Sequence, residues 1–169
     1  MKKPSNFVPR GVLKYVVGDA TMPKGSRMRY VIHICNNIGA WGSGFVVALS
    51  KKWPKAEQSY RSWWREKNGK LVLGEIQVVQ VASDLAIINM IAQEGCGLDK
   101  DGKPPIRYEA LQKCLAKVGE YVSDNSGAVH GPRFGAGLAG GSWDKIEAMI
   151  EQELLKRSVD VTIYDLEEK

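Results

Sequence analysis

The sequence is poor in the residues that build metal and disulfide scaffolds. It has three cysteines (Cys35, Cys96, Cys114) and two histidines (His33, His130) in 169 residues. No pair has the short spacing of a zinc knuckle, and three scattered thiols make no disulfide framework. No apolar run approaches the ~18 residues that span a bilayer. The basic N-terminus lacks an apolar stretch of signal-peptide length. These absences lead to the expectation of a reduced, cytoplasmic, monomeric protein with no metal, no cofactor and no membrane partner. Acidic residues are scarce in the first part of the chain. Residues 1–70 hold 14 Lys+Arg against 3 Asp+Glu, whereas residues 71–169 hold 10 against 16. Such a bias points either to a nucleic-acid or phosphate partner or to a solvated face. Most of the excess falls before Gly11 and in Lys51–Lys70, so a solvated face that at most steers a ligand is expected.

What is present describes an ordinary globular chain. The hydrophobic fraction is 44% and the charged fraction 25%, which excludes disordered, collagenous and coiled-coil classes. The length suits one domain. Residues 1–10, with Pro4 and Pro9, read as a flexible basic arm, and residues 11–169 as the domain. Strands are expected at Val12–Val17, Arg29–Cys35, Leu71–Val81, Leu85–Met90, Ala128–His130 and Val159–Leu166. Helices are expected at about Gly44–Lys52 and Lys55–Lys67, broken by Pro54. Two more follow, one on the stripe Tyr108, Leu111, Leu115, Val118, Val122 and one on Ile146, Met149, Ile150, Leu154. Alternation of strands and helices predicts a three-layer α/β/α sandwich with a mixed, largely parallel sheet.

Two glycine-rich segments, Gly39–Gly44 and Gly135–Gly141, each follow a strand and precede a helix. Glycine allows a close backbone approach, and free N–H groups at a helix start attract anions. In open α/β sheets ligands lie at the carboxyl ends of the strands, where both segments belong. Without a Walker lysine, the pair suggests a diphosphate or phosphosugar held by backbone amides; tight helix-packing turns are the alternative.

These segments carry a family resemblance. Val17-Gly18-Asp19-Ala20-Thr21 resembles the Gly-Asp-Ile-Thr segment of macrodomains. His33-Ile34-Cys35-Asn36-Asn37 with Gly39–Gly44 resembles their first loop, and Pro132-Arg133-Phe134-Gly135-Ala136-Gly137 the start of their diphosphate loop. Thr162-Ile163-Tyr164-Asp165-Leu166 is similar to their closing strand. The likeness runs from about Leu13 to Leu166. It is strongest to the branch containing ADP-ribose-1″-phosphate phosphatases and the terminal ADP-ribose protein glycohydrolase.

The resemblance implies that ADP-ribose or a derivative is the ligand. Asp19 and Ala20 would meet the adenine, with Tyr164 stacking on it, although Asp19 also suits a turn cap and Tyr164 an ordinary strand position. Asn36 and Asn37 would face the distal ribose. The amides of Gly42, Ser43, Gly44 and Phe45 would meet its substituent, and those of Gly135, Ala136, Gly137, Leu138 and Ala139 the diphosphate. Phe134 would pack beside the ligand, and Trp41 has the position of a lid. His33 and Asn36 form the catalytic pair, with His33 positioning water or donating a proton to a phosphate; a satisfied core histidine is the alternative.

Gln93 and Ala139 occupy the places of the glycohydrolase lysine and aspartate, so a lysine-based mechanism is not expected. Gln93 and Asn89 remain as polar ligands for the ribose. The expected function is hydrolysis of ADP-ribose 1″-phosphate to ADP-ribose. The alternatives are a non-catalytic reader, or a hydrolase removing ADP-ribosyl or acyl groups from a modified macromolecule.

Overall fold

A computed structural model describes residues 10–167 of the chain; all of the expected basic arm except Arg10 lies outside the described residues. Six strands form one sheet: β1 (Leu13–Val17), β2 (Arg29–Asn36), β3 (Ile76–Ala82), β4 (Leu85–Gln93), β5 (Ala128–Gly131) and β6 (Val161–Asp165). Their order is β1-β6-β5-β2-β4-β3. Every neighbouring pair is parallel except β3 with β4. The helices are α1 (Phe45–Lys52), α2 (Pro54–Glu66), α3 (Tyr108–Asn125) and α4 (Trp143–Glu153). The predicted three-layer sandwich is therefore the observed architecture.

The central strands β2 and β4 are the most continuously apolar, and they are buried almost throughout. That is the pattern of parallel strands covered on both faces. One core joins Ile32, Ile88, Met90, Val129 and Ile163 to Leu111, Leu115, Ile146 and Ile150 of α3 and α4. The other joins Val31, Cys35, Ile87 and Ile91 to Leu49 of α1 and to Ala56 and Tyr60 of α2. Pro54 opens α2, where its missing N–H breaks no helical bond.

Two strands are shorter than the hydrophobic pattern predicts. Residues 71–75 stay outside β3 because Gly74, at φ +95°, leaves the extended region and donates its N–H to Ile91. Val159 does not join β6, since its N–H closes the preceding helical turn on Leu154. Among the described residues no helix is long and apolar enough to cross a membrane.

Candidate functional site

Parallel strands bring their carboxyl ends to one side of the sheet, and both glycine-rich segments lie there. Asn36 closes β2 and pairs in register with Gln93, the last residue of β4. Two adjoining hollows open above them. One, of about 260 Å³, is lined by His33, Ser43, Gly44, Phe45, Gln93, Phe134, Gly135, Gly137, Leu138 and Ala139, among others. The second, of about 330 Å³, is lined by Asn36, Trp41, Gly42, Ser43, Gln93, Cys96 and Leu138 among others. Leu138 is 68% exposed, and its side chain packs against Gly44, so the two loops meet across it.

Most of the first loop's amides are unused. The backbone N–H groups of Gly42, Ser43, Gly44 and Phe45 donate to no other group among the described residues. Gly44 caps α1 at φ 81°, a region that favours glycine, and neither a side-chain cap nor an acidic residue serves the first turn. In the second loop the N–H groups of Gly135, Gly137, Leu138 and Ala139 are likewise unpartnered among the described residues, whereas Ala136 donates to Arg133. A Cβ added to Gly42 or Gly137 would meet nothing within 4 Å. Neither has the positive φ that demands glycine, so chain packing and backbone geometry alike leave these two positions unexplained.

The side chains beneath the first loop are fully engaged. Asn36 Oδ1 accepts from Ile38 N at 3.0 Å, Ala40 N at 3.1 Å and the Tyr60 hydroxyl at 2.7 Å, while Nδ2 donates to Ala40 O at 2.7 Å. Asn36 thus shapes the loop from within. Tyr60 is fully buried on α2. Sequence reading missed it, although Ala56 and Tyr60, one turn apart, mark the helix face that meets the sheet. Trp41 is no lid: it is buried, donates its indole N–H to Val46 O and lies against His33 and Tyr60. The loop is too tight to expose it, because Asn36 pulls Ala40 inward.

His33 is only 2% exposed and sits edge-on to Trp41 and Phe45. Its Nε2 lies 2.5 Å from Asn89 Oδ1. Burial lowers its pKa to about 4, against a smaller upward pull from Asn89, so the ring is neutral near pH 7. Cys35 is buried beside it, and burial pushes that thiol well up. Asn89, expected as a ribose ligand, is fully buried in mid-strand, where it donates to Gln77 and Ala56. The apolar strand continues beyond it to Gln93, which carries the polar end of β4 into both hollows.

Besides Asn89, five predicted residues line neither hollow: Asp19, Ala20, Asn37, Ala136 and Tyr164. Asp19 caps the turn after β1, accepting from Thr21 N at 2.9 Å and Thr21 Oγ1 at 2.7 Å through one oxygen. Asn37 Oδ1 holds Gly95 N. Tyr164 is buried, with its hydroxyl 2.9 Å from His130 Nδ1 and accepting from Lys24 N at 3.1 Å. Arg133, the one cation at the hollows among the described residues, is paired with Asp165 and stacked on Tyr15 and Trp143. Among the described residues, no group of three or more His, Cys, Asp or Glu is placed to hold a metal. A more open hollow of about 680 Å³ lies at the start of α3, but its Arg107 is committed to Glu94 and Asp99.

No family model matches the sequence. A macrodomain protein from Streptomyces coelicolor is 40% identical, with a TM-score of 0.79, over 90% of this chain and 98% of that one. The ADP-ribose 1″-phosphate phosphatase of Saccharomyces cerevisiae is 28% identical over 91% of this chain and 98% of its own length. A Thermosipho africanus DarTG structure in complex with ADP-ribose shares the fold, with a TM-score of 0.72 at 19% identity, over 92% of this chain and 42% of that one. The Streptomyces match covers nearly all of both chains at an identity that only relatedness sustains, and this chain therefore belongs to the macrodomain family.

Proposed function

We propose that the chain binds ADP-ribose across the two glycine-rich loops and hydrolyses ADP-ribose 1″-phosphate at its distal ribose. The observation that carries this reading is the double set of unpartnered amides beside two glycines with open space where a side chain would be. Oriented N–H groups stabilise phosphate oxygens without a competing cation, and they cost no reorganisation as charge develops. The second loop takes the diphosphate. The first loop, at the start of α1, takes the terminal phosphate, where the helix dipole adds to the amides. Gln93, between the two, holds a ribose hydroxyl or the attacking water. Asp19, exposed and with one oxygen committed to Thr21, accepts from the adenine amine. Tyr164, 7% exposed, offers no free face for stacking and serves as a wall beneath Gly18.

In this reading water forms the new bond to phosphorus as the bond to the 1″ oxygen breaks, and a proton of the attacking water passes to that departing oxygen. The neutral His33 positions groups rather than donating a proton. The relatives named as ADP-ribose 1″-phosphate phosphatases support ADP-ribose binding and a hydrolase role. One observation favours a second reading, a reader that binds without turnover: among the described residues, the titratable side chains at the hollows are a neutral His33, two cysteines and an ion-paired Arg133. Phosphate release from ADP-ribose 1″-phosphate, measured beside ADP-ribose calorimetry, separates the two. Binding with turnover supports the hydrolase, binding without it the reader, and no binding removes both.

A further inference from the structure

One cluster of side chains has no part in the proposed function. On the sheet face shared with α1 and α2, Lys14, Thr162 and His130 occupy paired register positions on β1, β6 and β5. The segment between β1 and β2 passes over them, its Lys24 N–H bonded to Tyr164 and its Arg27 paired with Asp160. A pocket of about 270 Å³ remains there, lined by Lys14, Lys24, Arg27, Arg29, His130 and Thr162 together with Asp160. It lies among the starts and middles of the strands, away from the glycine loops.

The lining carries an excess of donors. Asp160 is committed to Arg27 at 2.7 Å and to Val12 N at 2.8 Å, and Asp84 to Arg29 at 2.8 Å. Lys14 and Lys24 make no ion pair among the described residues. Arg29 Nε is buried with no acceptor among the described residues, an unsatisfied donor that costs stability unless something accepts from it. His130 is 4% exposed. Its Nδ1 meets Tyr164, and its Nε2 has no partner among the described residues. Burial, then Arg29, Lys14 and Arg27 in turn, lowers its pKa to about 4, so the field in the pocket is positive.

We propose that this pocket is a second anion site that binds a phosphate group independently of the glycine-loop cleft. Ammonium, guanidinium and imidazole donors converge from three strands and one loop, which suits a tetrahedral anion with several acceptor oxygens better than a planar carboxylate. Phosphate on a small molecule and phosphodiester in a nucleic-acid strand share this chemistry.

The chain has two histidines, so their ring signals in NMR report separately, His130 on the pocket and His33 on the cleft. Inorganic pyrophosphate and a short oligothymidine are titrated into the wild type and into the exposed pair Lys14→Glu/Lys24→Glu. The expected result is movement of the His130 signals by at least one ligand, with a midpoint at least 10-fold higher in the double variant. A response to pyrophosphate at the lower concentration identifies a small-molecule phosphate, and a response to oligothymidine at the lower concentration a strand. Unmoved His130 signals with both ligands, or an unchanged midpoint in the double variant, would overturn the proposal. Neither outcome touches the cleft, which the His33 signals report.

Discussion

His33 and Asn89 face each other from paired positions in β2 and β4, with Nε2 2.5 Å from Oδ1. An amide oxygen only accepts, so Nε2 carries the proton and Nδ1 keeps its lone pair. Gln77 Oε1 and Ala56 O hold the Asn89 amide in that orientation. The ring is thus a single neutral tautomer, with a pKa of about 4. Phosphate release should then show no limb near pH 6.5, where a free histidine titrates. A rate limb between about pH 6 and 7 that vanishes in His33→Asn would instead make His33 the proton donor.

The same burial predicts a stability trend. His33 and His130 are both held near 4 in the folded chain, against about 6.5 when unfolded. Between those values the unfolded chain binds more protons, so stability falls as the pH drops from about 6.5 towards 4. Each ring accounts for up to about 3 kcal/mol of that loss. Urea unfolding at pH 7 and pH 5 checks it, and His33→Asn should remove roughly half of the slope.

Gly42 and Gly137 allow binding to be separated from folding. A side chain at either would meet nothing in the chain, and neither backbone requires glycine. Gly42→Val and Gly137→Val should therefore change stability by no more than about 0.5 kcal/mol. In the proposed cleft they fill the space next to the phosphates, so ADP-ribose affinity should fall at least 10-fold by calorimetry. Unchanged affinity in both would remove the amide cradle.

Gly39 is the opposite case. It sits at φ +79°, and an added Cβ would lie 2.5 Å from the Trp64 ring. Gly39→Ala should cost about 2 kcal/mol or more, from backbone strain and overpacking together. Thermal unfolding checks the loss, and affinity should fall with it because the first loop is displaced.

The order of elements was legible in the sequence because strand and helix periods alternate cleanly, and the covered strands β2 and β4 read as unbroken apolar runs. Both loops were legible through their glycines. The side-chain roles were less so, because they depend on which way a residue faces. Asn89 looks like a strand-end ligand only if β4 stops early. Trp41 looks like a lid only if the loop stands away from α2. Asn36 bracing its own loop depends on Tyr60, 24 residues further on, which no local pattern joins to it. From sequence alone the basic bias reads as a solvated face with at most a steering field. Four of its residues, Lys14, Lys24, Arg27 and Arg29, meet only because the β1–β2 segment folds back over the sheet.

That tie between Tyr60 and Asn36 yields the last prediction. The Tyr60 hydroxyl lies 2.7 Å from both the backbone and the side-chain oxygen of Asn36. Burial pushes the phenol's pKa up, so it stays protonated and donates. Tyr60→Phe removes the donor and little volume, which should cost about 1–2 kcal/mol by urea unfolding. Asn36 Oδ1 keeps its bonds to Ile38 N and Ala40 N, so the loop loosens without collapsing. ADP-ribose affinity should fall severalfold while the His33 ring signals shift little, since His33 is held by Asn89 and not by Tyr60. A stability loss with unchanged affinity would show that the loop takes its shape from its glycines alone.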